Sequence, residues 1–312
     1  MPTAAVDAEQ IERKVQRLSA AAGRRTVEPD DEVAGEVGSG QLIPDEMLTI
    51  AGLHLDLSPE QRSELSREEI ASITEAGIRF EAVLEAGFAS HIATAANLVD
   101  PRITFILHEM GEETRHQRLF QRLLRQIEPK AASPWPFRLL SFGYRAVIEA
   151  TIGNRALFYV LVLGGEEIPD LFQKLASEHA DTDPFIRAVN RYHRAEEARH
   201  LSFARAVLPE IWEQTSRIDR AAVRYVAPAM IRFMFDSMVH PGVYEVVGLP
   251  GFATWRAANA TAERRQLRFE STRPILQVLL DGGLIRAGRV PRGWRSLCGV
   301  ARTGAPRDAT VV

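Results

Sequence analysis

Apolar residues recur at helical spacing in several long stretches after about residue 42, and the alternation typical of β-strands is nearly absent. Start signals stand before three of these stretches: Ser58, Asp100 and Asp183 each precede a proline, which suits the first helical position. A capping-box pattern also begins at Ser66, so the first long helix starts at Ser58 or at Ser66 and runs to about Asn97. The pattern predicts an all-α protein.

Further helical stretches follow these signals. One start is predicted near Pro136, another long apolar stretch covers about Arg155–Ala176, and two more lie in RAAVRYVAPAMIRFMFDSMV and RPILQVLLDGG. The basic tail after Gly288 is predicted to be irregular. Residues 1–40 combine a short amphipathic piece with a polar linker and are predicted to be mobile or loosely docked. Residues 41–312 then form one helical-bundle domain with C-terminal helices and a tail.

Composition narrows the function classes. The net charge of −3 gives no general attraction to nucleic acid or to an anionic membrane, so neither is expected as a partner. Cys298 is the only cysteine, which excludes a disulfide framework, a zinc–thiolate site and an iron–sulfur cluster within one chain. The apolar run Ala156–Gly165 is too short to cross a bilayer, and the first residues lack the apolar core of a signal peptide. A cytoplasmic protein is expected.

Two acidic pentapeptides carry the chemistry. The sequence EETRH contains Glu113 and His116, and the sequence EEARH contains Glu197 and His200. Residues three positions apart share one face of an α-helix, so each pair can bind one object together. A single copy of this pattern is more often a charge pair on a solvated helix face, but the presence of two copies favours a binding site.

A lone glutamate precedes each pentapeptide by nearly the same distance. Glu81 lies 32 residues before Glu113, and Glu166 lies 31 residues before Glu197, each inside an apolar stretch. Because a buried carboxylate requires a cation or a proton, these glutamates indicate a ligand. Ferritin-like di-iron proteins take one glutamate from each of two helices and a Glu-x-x-His from each of two others. The sequence therefore predicts a ferritin-like four-helix bundle with additional helices and a dinuclear metal site.

Two of the ligand positions have alternatives. Glu85 lies one turn after Glu81, but its spacing of 28 residues to the first Glu-x-x-His matches the other half less well. Glu167 adjoins Glu166, which is preferred narrowly. The arginines of the two pentapeptides, Arg115 and Arg199, point away from the paired face. Glu112 and Glu196 lie about 100° from their neighbours and are interpreted as second-shell or surface acids.

These residue types suit redox-active metals. Carboxylates and imidazoles bind iron, manganese and zinc, and a symmetric glutamate-rich set favours iron or manganese. We expect two iron ions, with a manganese/iron pair left open, and O₂ as co-substrate. The chain has no redox dithiol and no G-x-G-x-x-G motif after a strand, so an external electron donor or reductase is expected as a partner.

The sequence resembles the ferritin-like di-iron oxygenases of the p-aminobenzoate N-oxygenase family from about Leu55 to Cys298. The motifs that carry the resemblance are Phe80–Glu81, His108–His116, Gly164–Leu171 and Tyr192–Phe203. Members of that family oxidise aryl-amines and have an additional histidine ligand, which His193 matches. The resemblance implies the ligand set Glu81, Glu113, His116, Glu166, His193, Glu197 and His200. It also implies a small-molecule substrate, for which an amine nitrogen is the preferred target.

Two rival functions are weighed against this one. A di-iron desaturase or C-hydroxylase would use the same ligands, whereas an iron-storage protein would require a cage of small subunits, which the helices after the bundle fit poorly. Four aromatic residues could line a channel but are more often plain core: Phe88, Phe105, Phe158 and Tyr159. The apolar segment Phe233–Gly251 either covers one end of the bundle or forms the contact of a homodimer.

Overall fold

The computed structural model describes residues 8–23, 27–134 and 146–306, and within these ranges the all-α prediction is confirmed. They contain no β-strand, and an isolated bridge pairs Val300 with Pro306. The helices are, in chain order, α1 (Ala8–Ala22), α2 (Pro29–Glu32), α3 (Pro59–Ala93), α4 (Pro101–Ile127), α5 (Ala146–Gly153), α6 (Arg155–Glu178), α7 (Pro184–Gln214), α8 (Arg217–Tyr225), α9 (Ala227–Ser237), α10 (Gly242–Val246), α11 (Gly251–Ala260), α12 (Ala262–Asp281) and α13 (Arg292–Cys298).

The helix start signals act as the sequence predicts. Ser58 forms a capping box with Gln61 at the start of α3, and Asp100 and Asp183 accept backbone N–H groups in the first turns of α4 and α7. Of the two alternative starts for the first long helix, Ser58 is the observed one. Ser66 lies inside α3, where its hydroxyl accepts the backbone N–H of Leu42.

The four long helices form two hairpins, α3 with α4 and α6 with α7, which pack together as a ferritin-like bundle. Two apolar clusters divide this bundle along its length. One contains Phe88, Phe105 and Leu208, and the other contains Leu65 and Phe185. Along α3, α4 and α7 the buried side chains change from one cluster to the other in mid-helix. The polar site described below lies at this change.

The C-terminal region differs from its prediction. The prediction of an irregular tail after Gly288 is wrong over residues 292–298, which form α13. Trp294 and Leu297 lie about one turn apart and are fully buried with Cys298, so the short helix has an apolar face on the first cluster. Part of the segment that starts at Phe233 packs within the chain, with Val239, Val243 and Tyr244 buried in the second cluster, whereas Phe233 itself is 44% exposed. The homodimer contact stays a prediction. The helix start predicted near Pro136 lies outside the described residues.

Helix α1 packs against α4 and α7 and buries Val15. This part of the segment 1–40 therefore has a docked position, and the mobility of the segment stays a prediction. No single helix in the described ranges is both long and apolar enough to cross a membrane. Helices α5 and α6 reach the required length and composition only together, and the pair is bent by 111°.

Helices α3 and α6 approach closely beside the two lone glutamates. Phe80, which precedes Glu81, packs on Gly165, which precedes Glu166. A Cβ atom at Gly165 would overlap the Phe80 ring. A glycine at this position therefore lets the two helices hold their glutamates at the bundle centre.

We expect Gly165→Ala to lower the free energy of unfolding by about 1–3 kcal/mol, because the added methyl group overpacks the contact with Phe80. Urea denaturation of both proteins measures the change. Gly111→Ala is the matched control, since its Cβ would meet only the Arg115 guanidinium at 3.8 Å. The control should gain about 0.5–1 kcal/mol from helix propensity. Equal effects of the two substitutions would contradict the packing argument.

Candidate metal centre

The four long helices direct their buried acidic and imidazole side chains to one place at the bundle centre. Helix α3 contributes one glutamate, α4 a Glu-x-x-His, α6 one glutamate, and α7 a histidine followed by a Glu-x-x-His. All seven of these side chains are at most 4% exposed: Glu81, Glu113, His116, Glu166, His193, Glu197 and His200. The structure thus brings together every residue that the sequence analysis selected.

Three of them form the first potential metal position. His193 Nε2 lies 3.2 Å from Glu81 Oε1, and His116 Nδ1 lies 4.0 Å from the same oxygen. One ligand atom of each of the three residues lies within 4.8 Å of the other two. Two nitrogens and one carboxylate could therefore hold one metal ion.

A second triad is formed by Glu113, Glu197 and His200. His200 Nδ1 lies 3.0 Å from Glu113 Oε1 and 3.0 Å from Glu197 Oε2. Glu166 is outside this tight group, but its carboxyl group shares a hydrogen bond with Glu197. The second position is therefore richer in oxygen donors than the first.

Glu113 and Glu197 each face both triads. Glu113 places Oε1 near His200 and Oε2 3.4 Å from His116 Nδ1. Glu197 places Oε2 near His200 and Oε1 3.3 Å from His116 Nδ1 and 3.4 Å from His193 Nε2. Two carboxylates that divide their oxygens in this way are suited to bridge two ions.

The outer nitrogens of two histidines are fixed by glutamates of the opposite hairpin. His116 Nε2 lies 2.9 Å from Glu196 Oε2, and His200 Nε2 lies 2.8 Å from Glu112 Oε2. A carboxylate only accepts hydrogen bonds, so both Nε2 atoms must donate. In the neutral rings, the inner Nδ1 atoms then carry lone pairs that point at the carboxylates.

His193 follows the same rule with an amide partner. Its Nδ1 lies 3.1 Å from Gln173 Oε1, which can accept its N–H, and this leaves Nε2 facing Glu81. Burial lowers the pKa of His193 to about 4, so the ring is neutral at pH 7 and offers a lone pair. Gln173 was not singled out in the sequence, because its distance from His193 along the chain carries no periodic signal.

Two arginines complete this outer layer. Arg199 Nη2 lies 2.8 Å from Glu112 Oε1, and Arg115 Nη2 lies 3.6 Å from Glu196 Oε1. The arginine of each pentapeptide thus pairs with a glutamate that holds a histidine. These contacts keep Glu112 an ionised acceptor, as its lowered pKa shows: its bonds to His200 and Arg199 outweigh the opposing effect of burial.

The inner carboxylates have no such partners. In the described part of the chain their only cationic neighbours are the histidines, and Glu81 Oε2, Glu113 Oε1 and Glu197 Oε1 accept no hydrogen bond. Burial and neighbouring carboxylates raise the pKa of Glu81 and of Glu166 well above the ordinary value. Hydrogen bonds to Glu113 and Glu196 raise the pKa of His116 to about 10 against the effect of burial.

The inner group can therefore be satisfied in two ways. Protons can bind the histidines and glutamates, or metal cations can replace those protons. The donor set of four carboxylates and three imidazoles fits two transition-metal ions.

The two alternative ligands point elsewhere. Glu85 accepts a hydrogen bond of 2.7 Å from the Thr114 hydroxyl and is partly exposed. Glu167 is paired with Arg205. Both have protein partners that Glu81 and Glu166 lack, so the geometry favours the latter two.

The structure adds a fifth inner carboxylate, Glu109, which the sequence analysis did not select. It is 2% exposed, its Oε2 accepts no hydrogen bond, and its Oε1 lies 3.8 Å from His200 Nδ1. Burial raises its pKa to about 8. Its place in the sequence, four residues before Glu113, is the signal that could have found it.

Aromatic side chains pack near the centre, and a cavity reaches its outer layer. Phe105 stacks on Phe203 with ring centroids 4.2 Å apart, and Phe88 contacts Phe158 edge-on at 5.7 Å. The four aromatic residues considered for a channel are buried in the first apolar cluster. A cavity of about 260 Å³ lies on the outer face of α7 and reaches Tyr192, Glu196 and Arg199 in the outer layer.

Two hairpins that join Glu-x-x-His pairs to lone glutamates define a class, the ferritin-like helical bundles with a dinuclear carboxylate–histidine centre. The chain belongs to the p-aminobenzoate N-oxygenase AurF family, whose model matches residues 8–283. Uncharacterized proteins of Mycobacterium bovis and of Mycobacterium tuberculosis are 29% identical to it over 185 residues, which is 59% of this chain and 54% of theirs. The chain thus spans about half the length of the curated relatives it matches.

We expect Glu196→Ala to lower metal affinity by about 10- to 100-fold, because His116 loses the acceptor that directs its lone pair inward. Competition with a chelator of known affinity measures the change. Glu75→Ala is the control, since it removes only a surface pair with Arg79 on α3. Retention of the unsubstituted protein's affinity by both variants would show that Glu196 does not orient His116 for metal binding.

Proposed function

We propose that the protein is a non-heme di-iron oxygenase that activates O₂ to oxygenate a small organic substrate. Its ligands would be Glu81, Glu113, His116, Glu166, His193, Glu197 and His200. Family membership supports the class of reaction. The finer proposal, that the substrate is oxidised at an amine nitrogen, rests on what is typical of that family.

One observation carries this proposal. All three histidines have an acceptor for the N–H of the outer nitrogen, and all three inner nitrogens face buried carboxylates. A lone pair that points at a carboxylate oxygen is unfavourable unless a cation lies between them. Metal ions meet this requirement at both triads without a proton on any ring.

The proposed arrangement assigns His116, His193 and Glu81 to one ion and His200 and Glu166 to the other. Glu113 and Glu197 would bridge the ions, since each faces both triads. The donor types suit iron, and a manganese/iron pair is compatible with the same set. No described lysine or arginine competes for the inner carboxylates.

When bound, the two ions supply the redox chemistry that reduces O₂. The chain's own residues do the rest. Glu112 and Glu196 hold the N–H groups of two histidines and keep the rings in one tautomer. The apolar clusters above and below exclude water, which strengthens the electrostatic interactions within the site. Insertion of one oxygen atom into an N–H bond yields a hydroxylamine and consumes O₂, two protons and two electrons, with release of one water.

The electrons must come from outside the chain. Cys298, the only cysteine, is buried, and its thiol lies 3.5 Å from the carbonyl oxygen of Thr272. A separate reductase, or a chemical reductant in its place, is therefore part of the proposal.

The metal content tests the site directly. Protein expressed with iron should contain two transition-metal ions per chain, mainly iron, as measured by elemental analysis. Glu81→Gln and Glu166→Gln should lose metal, because each removes an anionic donor from the buried group. The neighbouring substitutions Glu85→Gln and Glu167→Gln are the matched controls and should keep both ions. Metal-free protein with native helicity would refute the centre, and loss of metal from the controls would reassign its ligands.

Turnover tests the reaction. With an aryl-amine, O₂ and a chemical reductant, the iron-loaded protein should form the hydroxylamine, detected by mass spectrometry with ¹⁸O₂. NADH with the purified protein alone should give no sustained turnover. Oxygen incorporation at carbon, or formation of a double bond, would assign the protein to the hydroxylases or desaturases instead. Repeated turnover with NADH alone would contradict the requirement for a separate donor.

A further inference from the structure

We infer that Glu109 is an additional carboxylate donor to the metal position formed by Glu113, Glu166, Glu197 and His200. This inference rests on the proposed metal centre and goes beyond its seven residues. It makes the two metal positions chemically unequal, one rich in nitrogen and the other rich in carboxylate.

The buried glutamates of the described residues fall into two groups by their partners. Five of them bind N–H or O–H donors of the protein: Glu68, Glu69, Glu112, Glu167 and Glu196. The other five have no such donor among the described backbone, hydroxyl and basic side-chain groups, and they lie beside one another and the inner histidine nitrogens: Glu81, Glu109, Glu113, Glu166 and Glu197. Four of these are proposed ligands. Glu109 is the fifth, and it differs from them in having the buried Tyr159 as a further neighbour.

The internal repeat of the sequence also supports Glu109 as a donor. Glu109 lies four residues before Glu113 on α4, and His193 lies four residues before Glu197 on α7. The two sequences are EMGEETRH and HRAEEARH, which agree at Glu-Glu, Arg and His. His193, one turn before the Glu-x-x-His on α7, thus corresponds in position to the carboxylate of Glu109 on α4.

The contacts follow the same correspondence between α4 and α7. His193 of α7 faces the histidine of α4, with its ring centroid 4.3 Å from that of His116. Glu109 of α4 faces the histidine of α7, with Oε1 3.8 Å from His200 Nδ1. The residue four positions before the Glu-x-x-His of each helix therefore lies beside the histidine of the other helix.

The distance suits shared coordination. Metal–nitrogen and metal–oxygen bonds of about 2.0–2.2 Å place two donors on one ion about 3–4.3 Å apart, depending on the angle between them. The 3.8 Å between Glu109 Oε1 and His200 Nδ1 lies in this range. Glu109 Oε2 is also buried and accepts no hydrogen bond. Oxygen donors favour Mn²⁺ more than imidazoles do, so Mn²⁺ is a suitable probe of this position.

Titration of the metal-free full-length protein with Mn²⁺ alone tests the inference, with free Mn²⁺ measured by electron paramagnetic resonance. The unsubstituted protein should bind two ions. Glu109→Gln should weaken one of them by about tenfold or more and leave the other within about twofold, as expected for loss of a donor. His193→Ala should also weaken only one ion, and the double variant should weaken both. Glu167→Gln, which removes a buried glutamate paired with Arg205, is the control and should bind both ions normally.

Thermal unfolding of the metal-free proteins separates ligation from a structural role. Because the buried Oε2 of Glu109 accepts no hydrogen bond, Glu109→Gln should keep or raise the melting temperature, whereas loss of a structural contact would lower it. Glu109→His supplies a different donor and should restore part of the lost affinity. It also decides the question if the glutamine variant does not fold.

The outcomes are distinguishable. An unsubstituted protein that binds no Mn²⁺ and no iron refutes the proposed centre itself. Two ions bound with equal affinity by the unsubstituted protein, by Glu109→Gln and by Glu109→His overturn the role of Glu109 and leave the centre intact.

Discussion

The burial of carboxylates without matching basic side chains is the constraint on which this structure depends. Taking such groups out of water is costly, and the protein accepts that cost at five glutamates in the middle of the bundle. The apolar clusters on either side keep water out, and the capped ends of the long helices keep the glutamates in register. In the part of the chain that the structure describes, the basic side chains that reach this region are Arg115 and Arg199, and they bind the outer glutamates instead.

The outer layer fixes the orientation of the histidines around this buried negative charge. Each histidine would otherwise be free to donate to an inner carboxylate and neutralise it. With its N–H bound to Glu112, Glu196 or Gln173, a neutral ring can present only a lone pair inward. The electrostatic requirement of the inner group then favours a multivalent cation over hydrogen bonds within the protein.

Much of this was predictable because helical periodicity is local. Glu113 with His116, and Glu197 with His200, share a face at any length of helix, and Ser58, Asp100 and Asp183 mark helix starts by their own chemistry. Contacts between helices could not be predicted from the sequence. The sequence left two alternatives for Glu112 and Glu196, second-shell or surface groups, and the structure supports the first, because each binds a histidine of the other hairpin. The helix α13 was missed because only seven residues carry its apolar face.

The crossed bonds between hairpins also bear on how the chain assembles. His116 and Glu196 are 80 residues apart, and His200 and Glu112 are 88 residues apart, so neither pair can form before the two hairpins meet. A hairpin alone contains a Glu-x-x-His but has no acceptor to orient its ring. Local opening between the hairpins would release both rings at once, which couples retention of the ions to the stability of the interface between the hairpins. The ions would in turn link the two hairpins, and their loss would destabilise the whole interface between the hairpins.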